Sequence, residues 1–305
     1  MNLDIILALL AAAVQSGTPI LTATLGEIVT ERSGILNLGV EGIMAMGALA
    51  AFAVTLWTGS PVAGLLAAGA CGSLLAGVHG LVCLGFQGNQ VVSGLALTIL
   101  GAGLANYLGT PLVGSSAPGF QPLPIPGLAQ IPLLGPVFFR QDALVYGSIL
   151  IVPLLWFYLN ATRWGLGLRA VGENPEASRA AGLHTLGYRW VGVLVGGWLM
   201  GWGGAYLSLA YTHSWTNGLT AGRGWIAVAL VIFAFWRPYR ALLGALLFGG
   251  VMAFQFRLQA VGTHIPSSLL MMLPYALTIM VLVFSSRRGG GDAPAALGLN
   301  IEPAD

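Results

Sequence analysis

Nine apolar runs dominate this chain, and they decide what it can fold into. Their approximate limits are 4–25, 35–57, 61–84, 89–108, 142–161, 189–211, 222–236, 240–257 and 266–285. A helix needs about 20 apolar residues to cross roughly 30 Å of hydrocarbon, and most of the runs reach that length. The seventh is short and begins at glycine, which suits a partial or tilted helix. Composition removes the soluble alternative. Hydrophobic residues make up 56% of the 305 and charged residues 7%, whereas a soluble domain carries about a quarter charged residues. The expected fold is an all-α polytopic membrane protein with about nine transmembrane helices, forming one domain over 1–286. The first run lacks the basic start of a secretion signal, with Asp4 as its only charge, and is read as a retained span.

Arginine placement orients the spans. With the Arg287-Arg288 tail in the cytoplasm, nine arginines fall inside and three, Arg140, Arg223 and Arg257, fall outside. The expectation is N-terminus out and C-terminus in. The longest external connection, 109–141, carries seven prolines. Proline fixes φ and lacks a donor, so this segment is expected to be a packed, non-helical cap. The tail 287–305 is rich in Gly, Ala and Pro and is expected to be a disordered cytoplasmic segment.

All twelve basic residues are arginine. A phosphate-binding loop needs a lysine on the β- and γ-phosphates, so the chain is not expected to hydrolyse ATP, and lysine Schiff-base chemistry is excluded. A net charge of +2 gives no footprint for nucleic acid. Cys71 and Cys83 fit no metal or redox spacing and read as small buried hydrophobes. In the third run Gly64, Ala68, Gly72, Ala76 and Gly80 recur every four residues, a stripe suited to close helix contact. His79 beside it reads as a hydrogen-bonded interior histidine. No HExxH, GxSxG or carboxylate pair marks an enzyme, and no metal site is expected.

One polar insert stands out, GENPEASRAAGL at 172–183. Asn174 can cap a helix start, Pro175 suits its first position, Glu176 favours the positive helix end, and Gly182 suits a left-handed stop. The spacing predicts a two-turn cytoplasmic helix over 175–181. So short a helix is marginal alone.

Other polar positions lie within apolar runs. Asn37 and Glu41 fall four apart on one helix face, and a buried carboxylate needs a partner or a water-filled path. Glu41 is therefore either a structural pairing or gating residue, or part of the translocation path near a helix break. Neutral Asn37, Gln90, Ser93 and Asn106 are the better candidates for cargo contact. Arg223 is either an interfacial anchor or a charge at the pathway entrance.

The stretch RWGLGLRAVGENPEASRAAGL resembles the coupling segment, about 162–188, of ABC importer permeases for simple sugars, nucleosides and branched-chain amino acids. The matching residues are Asn174, Pro175, Ala177, Arg179, Ala181 and Gly182. GEIVTERSGILNLGVEGIMAMGA (26–48), NQVVSGLALTILGAGL (89–104) and LTAGRGWIAVALVIFAFWRP (219–238) are similar to the nucleoside-type members. Phe235-Trp236-Arg237 departs from a commoner Gly-containing turn. The resemblance implies a permease subunit in the bacterial cytoplasmic membrane, with nucleosides or ribose-like sugars as cargo. It implies a helix at 174–182 docking on a separate ABC ATPase that holds ATP and Mg, with no cofactor in this chain. It also implies a second permease chain, identical or related, and an extracytoplasmic binding protein. An ion-coupled transporter is the rival reading; it has Glu41 for support and no role for the insert.

Overall fold

A computed structural model describes residues 3–263, 265–286 and 293–299. Among these the regular elements are helices: α1 (Leu3–Arg32), α2 (Val40–Thr58), α3 (Pro61–Gly80), α4 (Gln90–Gly109), α5 (Leu134–Phe138), α6 (Ala143–Ala161), α7 (Arg163–Glu173), α8 (Pro175–Ala180), α9 (Thr185–Tyr206), α10 (Arg223–Ala234), α11 (Pro238–Val261), α12 (Ser267–Met271) and α13 (Leu273–Ser286). Seven segments among the described residues are long and apolar enough to cross a membrane: α1, α2, α4, α6, α11, and α3 and α9 with the π-helical turns that extend them. Two of the nine apolar runs give shorter helices. α10 has 12 residues, and the last run divides at Met272 into α12 and α13.

Local chemistry sets many of the helix starts. Ser60 accepts from the Ala63 amide and Pro61 opens α3. Asn89 caps α4 through Val92, and Asp142 caps α6 through Leu144 and Val145. Each cap satisfies an amide that the helix leaves without an acceptor.

Small residues set the packing. α1 lies along α9 and α11, and α3 lies along α9 and α2. The stripe from Gly64 to Gly80 is buried. A Cβ on Gly72 would strike the Gly197 carbonyl, and one on Gly197 would strike Gly72 and Ala76. The backbones therefore meet where a side chain would separate them. The outward faces carry large exposed apolar groups, among them Ile99, Leu154 and Leu243, as a surface bathed in hydrocarbon requires.

The helices define two ends. At one, Arg32 closes α1, and its Nη1 lies 3.8 Å from Glu173 Oε1 of α7. At the other lie the start of α1 and the proline-rich segment 109–141. That segment is packed. Its backbone bonds to Leu209 and His213, and Gln141 meets Gln15 of α1. It is not wholly non-helical as proline content predicts, because α5 forms one short helix with Pro136 in its first turn, where a missing N–H matters little.

The tail also departs from expectation. Residues 287–292 and 300–305 lie outside the described residues, but 293–299 pack at the Arg32 end rather than lying free. The Ala296 amide donates to the Gly172 carbonyl at 2.9 Å, Gln90 Nε2 donates to the Leu299 carbonyl at 2.8 Å, and Ala296 is buried. Composition reads such a stretch as disordered; the apolar Ala296 and Leu297 give it a surface to bury.

Candidate functional site

The polar insert folds as its caps require. Thr162 opens α7 by accepting from Gly165, and Asn174 opens α8 by accepting from Ala177 at 2.9 Å. Pro175 is the first residue of α8 and Glu176 lies in its first turn. Gly182 closes the unit at φ +82°, and its amide bonds the Arg179 carbonyl. The helix spans 175–180, one residue shorter than predicted. Ser178 is its one buried residue, whereas Asn174, Glu176, Ala177, Arg179, Ala181 and Gly182 are exposed. Of the arginines around it, Arg189 is buried near Gly34. α8 is thus a preformed knob on the Arg32 end.

The second feature is a pair of backbone breaks inside the helical body. Residues 33–39, between α1 and α2, turn back along α1. The Asn37 amide donates to Glu27 Oε1 at 3.0 Å, more than one turn inside α1. Residues 212–222, between α9 and α10, do the same from the opposite end. α10 then runs parallel to α1, with Ala227 beside Thr24 and Trp236 beside Glu31. At 1.5 Å per residue, its start lies near the middle of α1. Non-helical backbone at such depth must have its polar groups satisfied from within the protein.

Side chains do so at almost every point. His79 Nε2 faces the Leu36 carbonyl at 3.0 Å, so it carries the proton, and Nδ1 accepts from Ser93 at 3.0 Å. Gln90 Oε1 accepts from the Leu36 amide at 2.7 Å while its Nε2 reaches the tail. Thr98 donates to the Leu38 carbonyl, and Asn37 Oδ1 accepts from Gly39. In the other break, Asn106 Oδ1 accepts from the Gly218 amide at 2.9 Å.

Glu41 joins the two breaks. From the first turn of α2, its Oε1 accepts from Thr220 Oγ1 at 2.6 Å and the Gly222 amide at 2.8 Å. Its Oε2 accepts from the Gly224 amide at 2.6 Å. The starts of α2 and α10 therefore converge on one buried carboxylate, and the positive ends of both helix dipoles favour it. Gly224 permits this approach, since a Cβ there would lie 2.5 Å from Glu41 Cα. Arg223 is 4% exposed, so it does not reach out to headgroups. Its Nη1 donates to the Leu219 and Thr220 carbonyls, and its guanidinium lies 5.8 Å from the Tyr211 ring centre.

Of the expected cargo residues, Asn37, Gln90 and Asn106 each bond backbone of a break and Ser93 bonds the His79 ring, with Asn37 Nδ2 left buried and without a partner. Sequence reasoning passed over the parts played by Glu27, Glu31, Thr98 and Thr220. Glu27 and Glu31 lie four apart in α1 and are both buried; two carboxylates at helical spacing beside an apolar run were the available signal. Trp236 Nε1 donates to Glu31 at 2.5 Å, pinning a turn in which Phe235 and Trp236 both have positive φ, +52° and +54°.

Among the described residues, seven membrane-length helices, two internally supported breaks and an exposed capped knob at one end define a multi-pass helical membrane protein. The chain belongs to the family of branched-chain amino acid transport system permease components, whose profile matches residues 9–282. It is 44% identical over 91% of both chains to a putative glucose ABC transporter permease protein of Haloferax volcanii. It is 35% identical over 93% of both to a nucleoside ABC transporter permease protein of Lactococcus lactis subsp. cremoris, and 34% identical over 97% of both to a guanosine ABC transporter permease protein of Bacillus subtilis. No solved structure matches it. The chain is accordingly an ABC importer permease and a multi-pass protein of the cell membrane.

Proposed function

We propose that this chain carries nucleosides inward as one of two permease subunits, identical or related, with α8 docked on a separate ATPase and a binding protein delivering cargo at the opposite end. The observation that carries the proposal is α8 itself, a capped helix of six residues with almost all of its surface exposed. A helix so short gains little from burial within its own chain, which supports a partner at that face. The ATP and Mg belong to that partner.

The path from α8 to the breaks is short. Gly172 at the end of α7 packs against the Arg32 carbonyl and the Gly34 amide, and Glu173 pairs with Arg32. A displacement of α7 and α8 therefore moves the end of α1 and the start of the first break. ATP-driven closure of the ATPase would bias the two arrangements of this unit by binding one better than the other.

The cytoplasmic side is the Arg32 end, where Arg163, Arg169, Arg179 and Arg237 gather. The N-terminus is outside and the C-terminus inside. Nine passes result if 212–222 with α10 complete one and α12 with α13 another. Two relatives named for nucleoside or guanosine transport support the nucleoside reading. The 44% relative named for glucose supports a second reading, in which the cargo is a sugar.

Purification through a tag on this chain, with mass spectrometry of what accompanies it, tests the partners. Uptake of labelled guanosine against labelled glucose separates the two cargoes. Ala181→Glu places a charge on the docking face and is expected to lower uptake at least tenfold, roughly the effect of one buried unpaired charge, while the protein inserts and melts normally. Unchanged uptake in this variant would remove α8 from coupling, and uptake that survives loss of the ATPase would favour an ion-coupled transporter.

A further inference from the structure

We infer that the polar cavity between α6, α7 and the α10–α11 turn binds the headgroup of an anionic phospholipid. The cavity measures about 560 Å³, within the roughly 300–1,000 Å³ typical of small-molecule sites. Arg32, Arg169, Arg237 and Arg240 line it, against one carboxylate, Glu173. Glu173 is already engaged by Arg32. The lining therefore carries a net charge of about +3 by this count of side chains, in a recess that an anion can enter. Arg169 is fixed in orientation by Asn160 Oδ1 at 2.7 Å, and Arg240 lies over the Phe235 ring at 5.0 Å. Such held guanidinium groups suit phosphate oxygens better than mobile ones.

Two further observations select a lipid over a free anion or a protein. Trp156 and Tyr239 form an aromatic pair, 6.1 Å between ring centres, at the mouth of the cavity. They are 44% and 47% exposed, as rings at a membrane–water boundary are. Beyond them, exposed Leu243 and Leu247 on α11 continue from Tyr239 in four-residue steps toward the membrane interior. The charged recess thus opens onto an apolar stripe of α11. That combination matches a phosphate joined to acyl chains, and basic pockets between helices on the cytoplasmic side are where such headgroups bind. Which leaflet supplies the lipid depends on the orientation proposed above; binding itself does not.

The test uses the purified importer complex in nanodiscs of phosphatidylglycerol and phosphatidylcholine, read by native mass spectrometry. Wild type is expected to retain phosphatidylglycerol selectively. The double variant R169Q/R240Q is expected to bind it roughly tenfold or more weakly, the share of two arginines in attraction to an anionic surface. R240K, which keeps the charge, should lose far less, and a normal elution profile for each variant shows that it folds. Equal retention of both lipids, or of phosphatidylglycerol by wild type and double variant alike, overturns the inference. So does displacement of the lipid by millimolar inorganic phosphate, which would mark a plain anion site. If the double variant keeps its lipid but sheds the ATPase, the cavity is a protein contact and the inference is wrong. Reversed orientation would leave the lipid results unchanged and show only in the sidedness of cysteine labelling.

Discussion

α8 and α10 are both short helices with a capped start, and they are secured in opposite ways. α8 is closed by its own neighbour, Asn174, three residues before the amide it accepts from. α10 is closed by Glu41, which lies 181 to 183 positions away from the Gly222 and Gly224 amides. The first helix is nearly all exposed; the second is packed between α1, α2, α11 and α13. A locally capped helix keeps its shape whatever its surroundings do, which suits a part that meets a moving partner. A remotely capped helix exists only while the body is assembled. It can therefore report, or change with, the arrangement of α2 against it.

Glu41→Ala breaks the comparison hardest. It leaves the Thr220 hydroxyl and the Gly222 and Gly224 amides without their acceptor. At about 1–3 kcal/mol for each buried group left unsatisfied, the loss is on the order of 3–9 kcal/mol in total. The expected outcome is a large fall in melting temperature of the detergent-purified protein and loss of uptake. Glu41→Gln keeps one carbonyl acceptor and should fall between. A protein of normal stability with Glu41→Ala would mean that α10 does not depend on this cap.

Asn174→Ala asks the same question of α8 and has a smaller answer. A lost side-chain cap costs about 1 kcal/mol, and here the cost is confined to two turns. Hydrogen exchange over 175–181 should quicken several-fold while the global melting temperature stays put, and uptake should fall in part. Asn174→Asp, an equally good cap, should restore slow exchange. A drop in global stability with Asn174→Ala would show that α8 is welded to the body as α10 is.

The same contrast explains what could be read in the sequence. Apolar runs, the glycine stripe of α3 and the caps of α8 depend on residues a few positions apart, so spacing alone exposes them. Asn37, Gln90, Ser93 and Asn106 could be picked out as unusual in apolar runs, but their partners could not. Leu36 is 54 residues from Gln90, and Gly218 is 112 from Asn106. Long-range partners depend on how helices meet, which no local pattern encodes, and so the backbone support these residues give was not legible. The break before α10 and the packed tail at 293–299 escaped for that reason. Glycine, proline and low hydropathy describe a stretch that cannot fold alone, and they are silent about a surface elsewhere that receives it.

Ala221→Gly is the smallest and the most selective probe. Ala221 takes φ +46° and Gly222 takes φ +80°, so two successive residues lie in the left-handed region directly before α10. For a residue with a Cβ this conformation costs roughly 1–2 kcal/mol; glycine removes that cost but loses about 0.5–1 kcal/mol to chain entropy. The net effect should be a gain in stability of up to about 1.5 kcal/mol, seen as a slightly raised melting temperature. Combined with Glu41→Ala, the gain should vanish. Without the carboxylate nothing draws Gly222 and Gly224 into this turn, and the strain at Ala221 can relax by itself. Additive effects would instead mean that the loop's shape is set locally, as α8's is, and that Glu41 only follows it.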